Sequence, residues 1–152
     1  MDKKSKVLFL STGTSSRSQM AEGFLRTLAG DEFEVASAGI EPSRLDPFTV
    51  EVMREMGIDI SKQHPKNVAE SVKEQFGYVI TVCDMARERA PIFPFTLNLI
   101  HWSIEDPAAA KGVAEERRDA FRRARDMIRD NVQNFISEFT GKNLERSRAA
   151  SG

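Results

Sequence analysis

Residues 11 to 18 read STGTSSRS and gather six hydroxyl side chains around one glycine and one arginine. Gly13 permits a positive φ, so that successive backbone N–H groups at Thr12, Gly13, Thr14, Ser15, Ser16, Arg17 and Ser18 can converge into a concave nest. A helix starting just beyond would add its positive N-terminal end. Arg17 supplies a planar fork that grips two oxygens of a tetrahedral anion, which a lysine cannot do. Phosphate, arsenate or sulfate is the ligand class expected. Taken by local sequence alone, such a loop is more often an ordinary turn and helix cap. No Gly-Lys-Ser or Gly-Lys-Thr follows the glycine, so the loop is not of the nucleotide-binding kind.

The rest of the chemical inventory is sparse. Cys83 is the single cysteine, and only His64 and His101 carry imidazoles. One thiol forms no internal disulfide and suits a reducing compartment. Two histidines and one cysteine make no recognised metal-ligand spacing, so no metal site is expected. Taken by itself, Cys83 reads as a buried apolar residue at a strand end. Lone histidines at a loop and a strand end read as structural.

The flanking pattern says how these residues would be positioned. Lys6 to Ser11 is a short apolar run entering the hydroxyl-rich loop, as a buried parallel strand does. Met20, Ala21, Phe24, Leu25 and Leu28 recur at helical spacing between Ser18 and Ala29, with Ser18 placed to cap the start. Glu34 to Ala38 reads as a second strand, and the β-α-β unit implies a right-handed parallel crossover. Pro47 opens a second helix with an apolar stripe of Val50, Val52, Met53 and Met56, stopped at Gly57.

Tyr78 to Cys83 and Asn98 to Trp102 supply two further strands. Asp84 to Phe95, charged and proline-containing, reads as an irregular segment and a candidate lid. From Ala114 to Thr140, Phe121, Ala124, Met127, Ile128, Val132, Phe135 and Ile136 follow three- and four-residue steps of a long closing helix. Its Glu115 to Arg118 run reads as a solvated face. Gly141 ends the helix, and residues 142–152 read as a frayed tail.

The fold class is therefore α/β: one three-layer sandwich domain over residues 1–152, with a mostly parallel four-stranded sheet. In such sheets ligands bind beyond the carboxyl ends of strands, which is where residues 11 to 18 fall. The chain has 152 residues, 40% hydrophobic and 30% charged, with a formal net charge of -1. That balance supports one core and gives no global basic field for nucleic acid or anionic membrane. The apolar run Val7 to Leu10 is too short for a signal peptide, and no stretch spans a bilayer, so a cytoplasmic protein is expected.

KVLFLSTGTSSRSQMAEGF resembles the first strand, phosphate loop and first helix of the low-molecular-weight tyrosine phosphatase superfamily, and specifically its thioredoxin-coupled arsenate reductase branch. SAGIEPSRLDPFTVEVMREMGIDISKQHPKNV, YVITVCDMARERAPIFP and HWSIEDPAAAKG continue the resemblance in order and spacing, over residues 6 to 137. SQMAEGF after the arginine and EDPAAA resemble the reductases more than the phosphatases proper.

The resemblance implies roles for particular residues. The family nucleophile, a cysteine separated by five residues from the loop arginine, corresponds to Ser11. A serine hydroxyl keeps its proton and, without a neighbouring base, is a very poor nucleophile. Asp106 corresponds to the general acid that protonates the leaving oxygen; it reads otherwise as a cap before Pro107. Cys83 corresponds to the second thiol of the redox relay, and the third position, seven residues on, is Ala90. One surviving thiol cannot store two electrons as an internal disulfide. Ser16 stands where some relatives carry another cysteine. Thr14 stands where the family has a loop-holding asparagine, an exchange pointing to natural divergence.

Three functions follow as expectations. One is an arsenate reductase-like oxyanion binder that is catalytically impaired, with thioredoxin as electron donor only if the relay were intact. Another is a regulatory module that reads a phosphorylated ligand. The third is residual phosphatase or reductase activity through a histidine-activated Ser11 or through Cys83.

Overall fold

The structure is a computed structural model that describes residues 4–12, 16–41, 44–64, 66–90, 93, 96 and 98–140. Gly13, Thr14, Ser15, Gly141 and the tail 142–152 lie outside the described residues, as do 91–92 and 94–95 of the expected lid. The elements run β1 Ser5–Ser11, α1 Arg17–Ala29, β2 Phe33–Gly39, α2 Pro47–Arg54, β3 Lys66–Asn67, β4 Tyr78–Thr81, α3 Asp84–Arg89, β5 Asn98–His101 and α4 Ala114–Thr140. The four expected strands are present, and the two-residue β3 extends the sheet to the order β3-β2-β1-β4-β5.

Every strand pairing is parallel. β1 therefore sits mid-sheet with helices on both faces, and its Val7, Leu8, Phe9 and Leu10 are fully buried. The alternation of a strand splits them. Val7 and Phe9 join Phe24, Met53, Ile128 and Phe135 under α1, α2 and α4. Leu8 and Leu10 face the other layer with Val79, Phe76, Cys83 and Ala86. These are the three layers of the expected sandwich. β2 and β4 flank β1 on opposite sides, so the topological switch lies between β1 and β4, and the crevice opens past Ser11 and Thr81.

Pro47 is the first residue of α2, where its fixed φ is already helical, and the Asp46 carboxylate accepts from Phe48 N at 2.9 Å. α2 ends at Arg54, and the chain turns through Gly57 at φ 78°, a conformation that glycine adopts without strain. The apolar stripes overreach at their edges. Leu28 and Met127 are 47% and 49% exposed on the shoulders of α1 and α4, and Met56, 39% exposed, lies in the turn beyond α2.

Two other expectations are corrected. The segment from Asp84 begins as a helix: Asp84 in its first turn and Arg87 and Arg89 in its last complement the helix dipole. The Glu115 to Arg118 run is not wholly solvated either. Arg117 and Arg118 lie over the Phe48 ring at 5.2 and 5.5 Å, and Arg118 Nε meets Glu51 at 2.9 Å.

Ion pairs close the seam between α2 and α4. The nearly buried Arg125 donates to Val52 O at 3.0 Å and to Glu55 Oε1 at 2.8 Å. Arg122 meets the other Glu55 oxygen and Asp119, both at 2.7 Å. The hydrogen bond from Arg122, reinforced by Arg125, holds the Glu55 carboxyl at about 2, well below its usual 4.5.

Candidate functional site

Ser11 ends β1, is 2% exposed, and shares a 2.9 Å hydrogen bond with the hydroxyl of Ser18. This corrects the expected role of Ser18, which lies inside the first turn of α1, fully buried, and does not cap it. Ser16 occupies the cap position but makes no side-chain cap bond there. Its hydroxyl accepts from Thr49 Oγ1 at 3.1 Å, tying the loop's exit to α2. The loop's entry is held by backbone: Ile40 N donates to Ser11 O and Glu41 N to Thr12 O, at 3.2 and 2.8 Å.

The structure brings four of the sequence's candidate positions together around this crevice. Thr12 Oγ1 lies 3.2 Å from Cys83 Sγ, so the one cysteine, buried at the start of α3, abuts the loop. Arg17 opens α1 and points across to the segment after β5. Its Nη1 donates to Ile104 O at 2.8 Å and its Nη2 stands 3.9 Å from Asp106 Oδ2. Asp106 takes the cap position expected of it before Pro107. Its Oδ1 accepts from Ala108 N at 2.9 Å and caps the 3-10 turn Pro107–Ala109, while its other oxygen faces Arg17. Ala90 directly follows α3.

Behind the loop, polar side chains anchor α1. The buried Glu22 carboxylate accepts from Ser37 Oγ and from Arg26. Gln19 Nε2 donates to the same Ser37 hydroxyl at 2.8 Å, and Gln63 Nε2 donates to both oxygens of Gln19, at 3.0 and 2.9 Å. Buried polar groups need such partners, and here they fix the helix that carries Arg17.

Sequence reasoning gave His101 no partner, and the structure supplies two. Nε2 lies 2.7 Å from Asp84 Oδ1, and Nδ1 lies 2.6 Å from Thr81 Oγ1. The ring thus joins β4, β5 and α3. Hydrogen bonds from His101 and Ser103 lower the Asp84 carboxyl below the usual aspartate range. Both nitrogens of His101 are thus engaged, and His64 is exposed on the far side of α1. The signal for Thr81 and His101 lay in pairing register, since they stand opposite each other on β4 and β5. Composition carried no trace of it.

A parallel α/β sheet whose first strand delivers a hydroxyl-rich loop and an arginine to the helix start, faced by a capping aspartate, defines a phosphatase-like class. The chain belongs to the low molecular weight phosphotyrosine protein phosphatase family, whose model matches residues 6–149. It is 41% identical over 139 residues to an arsenate reductase of Halalkalibacterium halodurans, covering 91% of this chain and 99% of that protein. It is likewise 41% identical over 136 residues to the arsenate reductase of Bacillus subtilis, covering 90% and 96%.

Among solved structures, an arsenate reductase in the phosphate binding state matches with a TM-score of 0.76 and 32% identity, over 88% of this chain and 98% of that one. A low molecular weight protein tyrosine phosphatase from T. tengcongensis shares the fold, with a TM-score of 0.72 at 21% identity over 90% of this chain and 100% of that one. No helix among the described residues is long and apolar enough to cross a membrane.

Proposed function

We propose that this chain is an arsenate reductase-like protein of the cytoplasm that binds phosphate or arsenate at residues 11–18 and Arg17 but is impaired in the family reaction. The observation that carries the reading is the crevice around Ser11: a buried hydroxyl at the end of β1, paired with Ser18, with Arg17 and Asp106 across from it. Arg17 and the loop amides hold the oxyanion, and Asp106 stands where a leaving oxygen would receive a proton. Ser11 keeps its hydrogen at neutral pH because a serine hydroxyl is far less acidic than a thiol.

Reduction of arsenate to arsenite needs two electrons. A relay supplies them by passing a covalent arsenic–sulfur adduct to a disulfide, which thioredoxin then reduces. Cys83 is the one thiol of the sequence. With Ser11 and Ala90 at the other two relay positions, neither the adduct nor the internal disulfide forms.

Calorimetric titration with phosphate and arsenate tests the first half, and saturable binding is expected. Restoring the thiol with Ser11→Cys tests the second. That variant should gain hydrolysis of an aryl phosphate but no thioredoxin-coupled arsenate reduction, and the double variant Ser11→Cys, Ala90→Cys should gain both. Turnover of arsenate by the unaltered chain, abolished by Cys83→Ala, would overturn the impairment. Absence of oxyanion binding would overturn the whole reading.

A further inference from the structure

Between the 3-10 turn Pro107–Ala109 and α4 lies a cavity of about 290 Å³. Glu105 and Asp106 stand on the turn's wall, and Arg123 and Met127, one helical turn apart, stand on the wall of α4 above Ala120 and Ala124. The volume is at the low end for small-molecule sites, which fits a ligand of amino-acid size.

Three features set this cavity apart from ordinary solvated surface. Arg118, Arg122, Arg125 and Arg129 of α4 each hold a carboxylate, and Arg117 lies over Phe48. Arg123, among the described residues, holds neither. Glu105 forms no ion pair among the described residues either, so opposite charges face one cavity without neutralising each other. Met127 is 49% exposed on a helix whose other outward positions are mostly charged. An apolar patch between separated charges of opposite sign is complementary to a compact zwitterion with an apolar stem.

We propose that this cavity is a second ligand site, taking a free α-amino acid with an apolar side chain. The carboxylate pairs with Arg123 in the bidentate geometry that guanidinium favours. The ammonium faces Glu105, and the side chain covers Met127, Ala120 and Ala124. Asp106 borders both this cavity and Arg17, so the ligand rests against the wall of the oxyanion crevice without touching the loop. The site is independent of whether the loop binds an oxyanion.

The test titrates the full chain, followed by amide NMR, with L-leucine, N-acetyl-L-leucine, which lacks the ammonium, and L-leucinamide, which lacks the carboxylate. Leucine should give saturable shifts confined to residues 105–110 and 120–127, and should bind roughly tenfold more tightly than either derivative. Arg123→Gln should weaken leucine by about the same factor, leave leucinamide unchanged, and leave the phosphate titration unaltered. Equal affinity for all three probes, shifts scattered over the surface, or no saturation in the tens of millimolar would overturn the proposal. A failed phosphate titration alongside a normal leucine response would count against the oxyanion reading only.

Discussion

The seam between α2 and α4 and the crevice at the end of β1 both set arginine against carboxylate, and they do so differently. At the seam, Arg122 and Arg125 close on Glu55 at 2.7 and 2.8 Å, with Asp119 and Val52 O filling further donors. At the crevice, Arg17 spends one nitrogen on the neutral carbonyl of Ile104 and meets its carboxylate only at 3.9 Å. A saturated guanidinium holds elements together, and a ligand could use it only by breaking existing pairs. One that is anchored through a carbonyl is fixed in direction yet keeps its charge available. The contrast separates the structural arginines of the seam from Arg17, the arginine that the proposed oxyanion site would use.

Breaking the seam should produce the largest effect. Arg125→Ala removes the side-chain donor to Val52 O and one of the two arginines on Glu55, leaving Arg122 alone to hold that carboxylate, and should cost about 2–3 kcal/mol. The melting temperature should fall by roughly 4–10 °C, with the phosphate titration unchanged. Arg17→Ala should give the reverse pattern: affinity for phosphate falls by roughly tenfold to a hundredfold, as expected for lost charge-assisted bonds, while the thermal midpoint moves less than in the seam variant. Equal losses of stability in the two variants would erase the distinction.

The seam also has a pH signature. The Glu55 carboxyl titrates at about 2 in the fold against 4.5 ordinarily, so the stability it contributes is present above 4.5 and is lost as the pH falls towards 2. Because Glu55 is about a third exposed, solvent screening keeps this to roughly 1 kcal/mol. Acid denaturation of Glu55→Gln should start from a lower stability at neutral pH and show a flatter decline over that window. Smallest of all, Asp106→Asn should raise phosphate affinity by roughly twofold to threefold, since a carboxylate no longer repels the anion across the solvent-exposed side of the crevice. A loss of affinity would mean that Asp106 positions Arg17 more than it repels ligand.

Much of the architecture could be read directly from residue patterns. The apolar run before Ser11, the helical spacing of Met20 to Leu25 and the proline start at Pro47 are local signals, and local signals decide where elements begin. The long closing helix was legible from Phe121 to Ile136 for the same reason. Misreadings arose where tertiary contact overrides local preference. Ser18 looked like a cap, but the helix starts two residues nearer the N-terminus, with Ser16 in the cap position, and that hydroxyl is buried against Ser11. Thr81, Asp84 and His101 meet only because β4 and β5 pair in register, and no spacing along the chain encodes that. Arg17 was legible in the loop's own residue types and Asp106 through a family resemblance, and the fold brings them within 3.9 Å.

The central position of β1 bears on the order in which the molecule is made. Val7 pairs with Val35, 28 residues on, and with Tyr78, 71 residues on. The first pairing closes the shorter loop and completes a β-α-β unit from residues 5–39, which leave the ribosome before β4 does. Arg17 thus belongs to a unit that can assemble early, while Asp106 follows Gly39 by 67 residues. At ordinary rates of synthesis it emerges on the order of 3–13 s later. During that interval the nascent chain carries the arginine half of the crevice without its acidic counterpart.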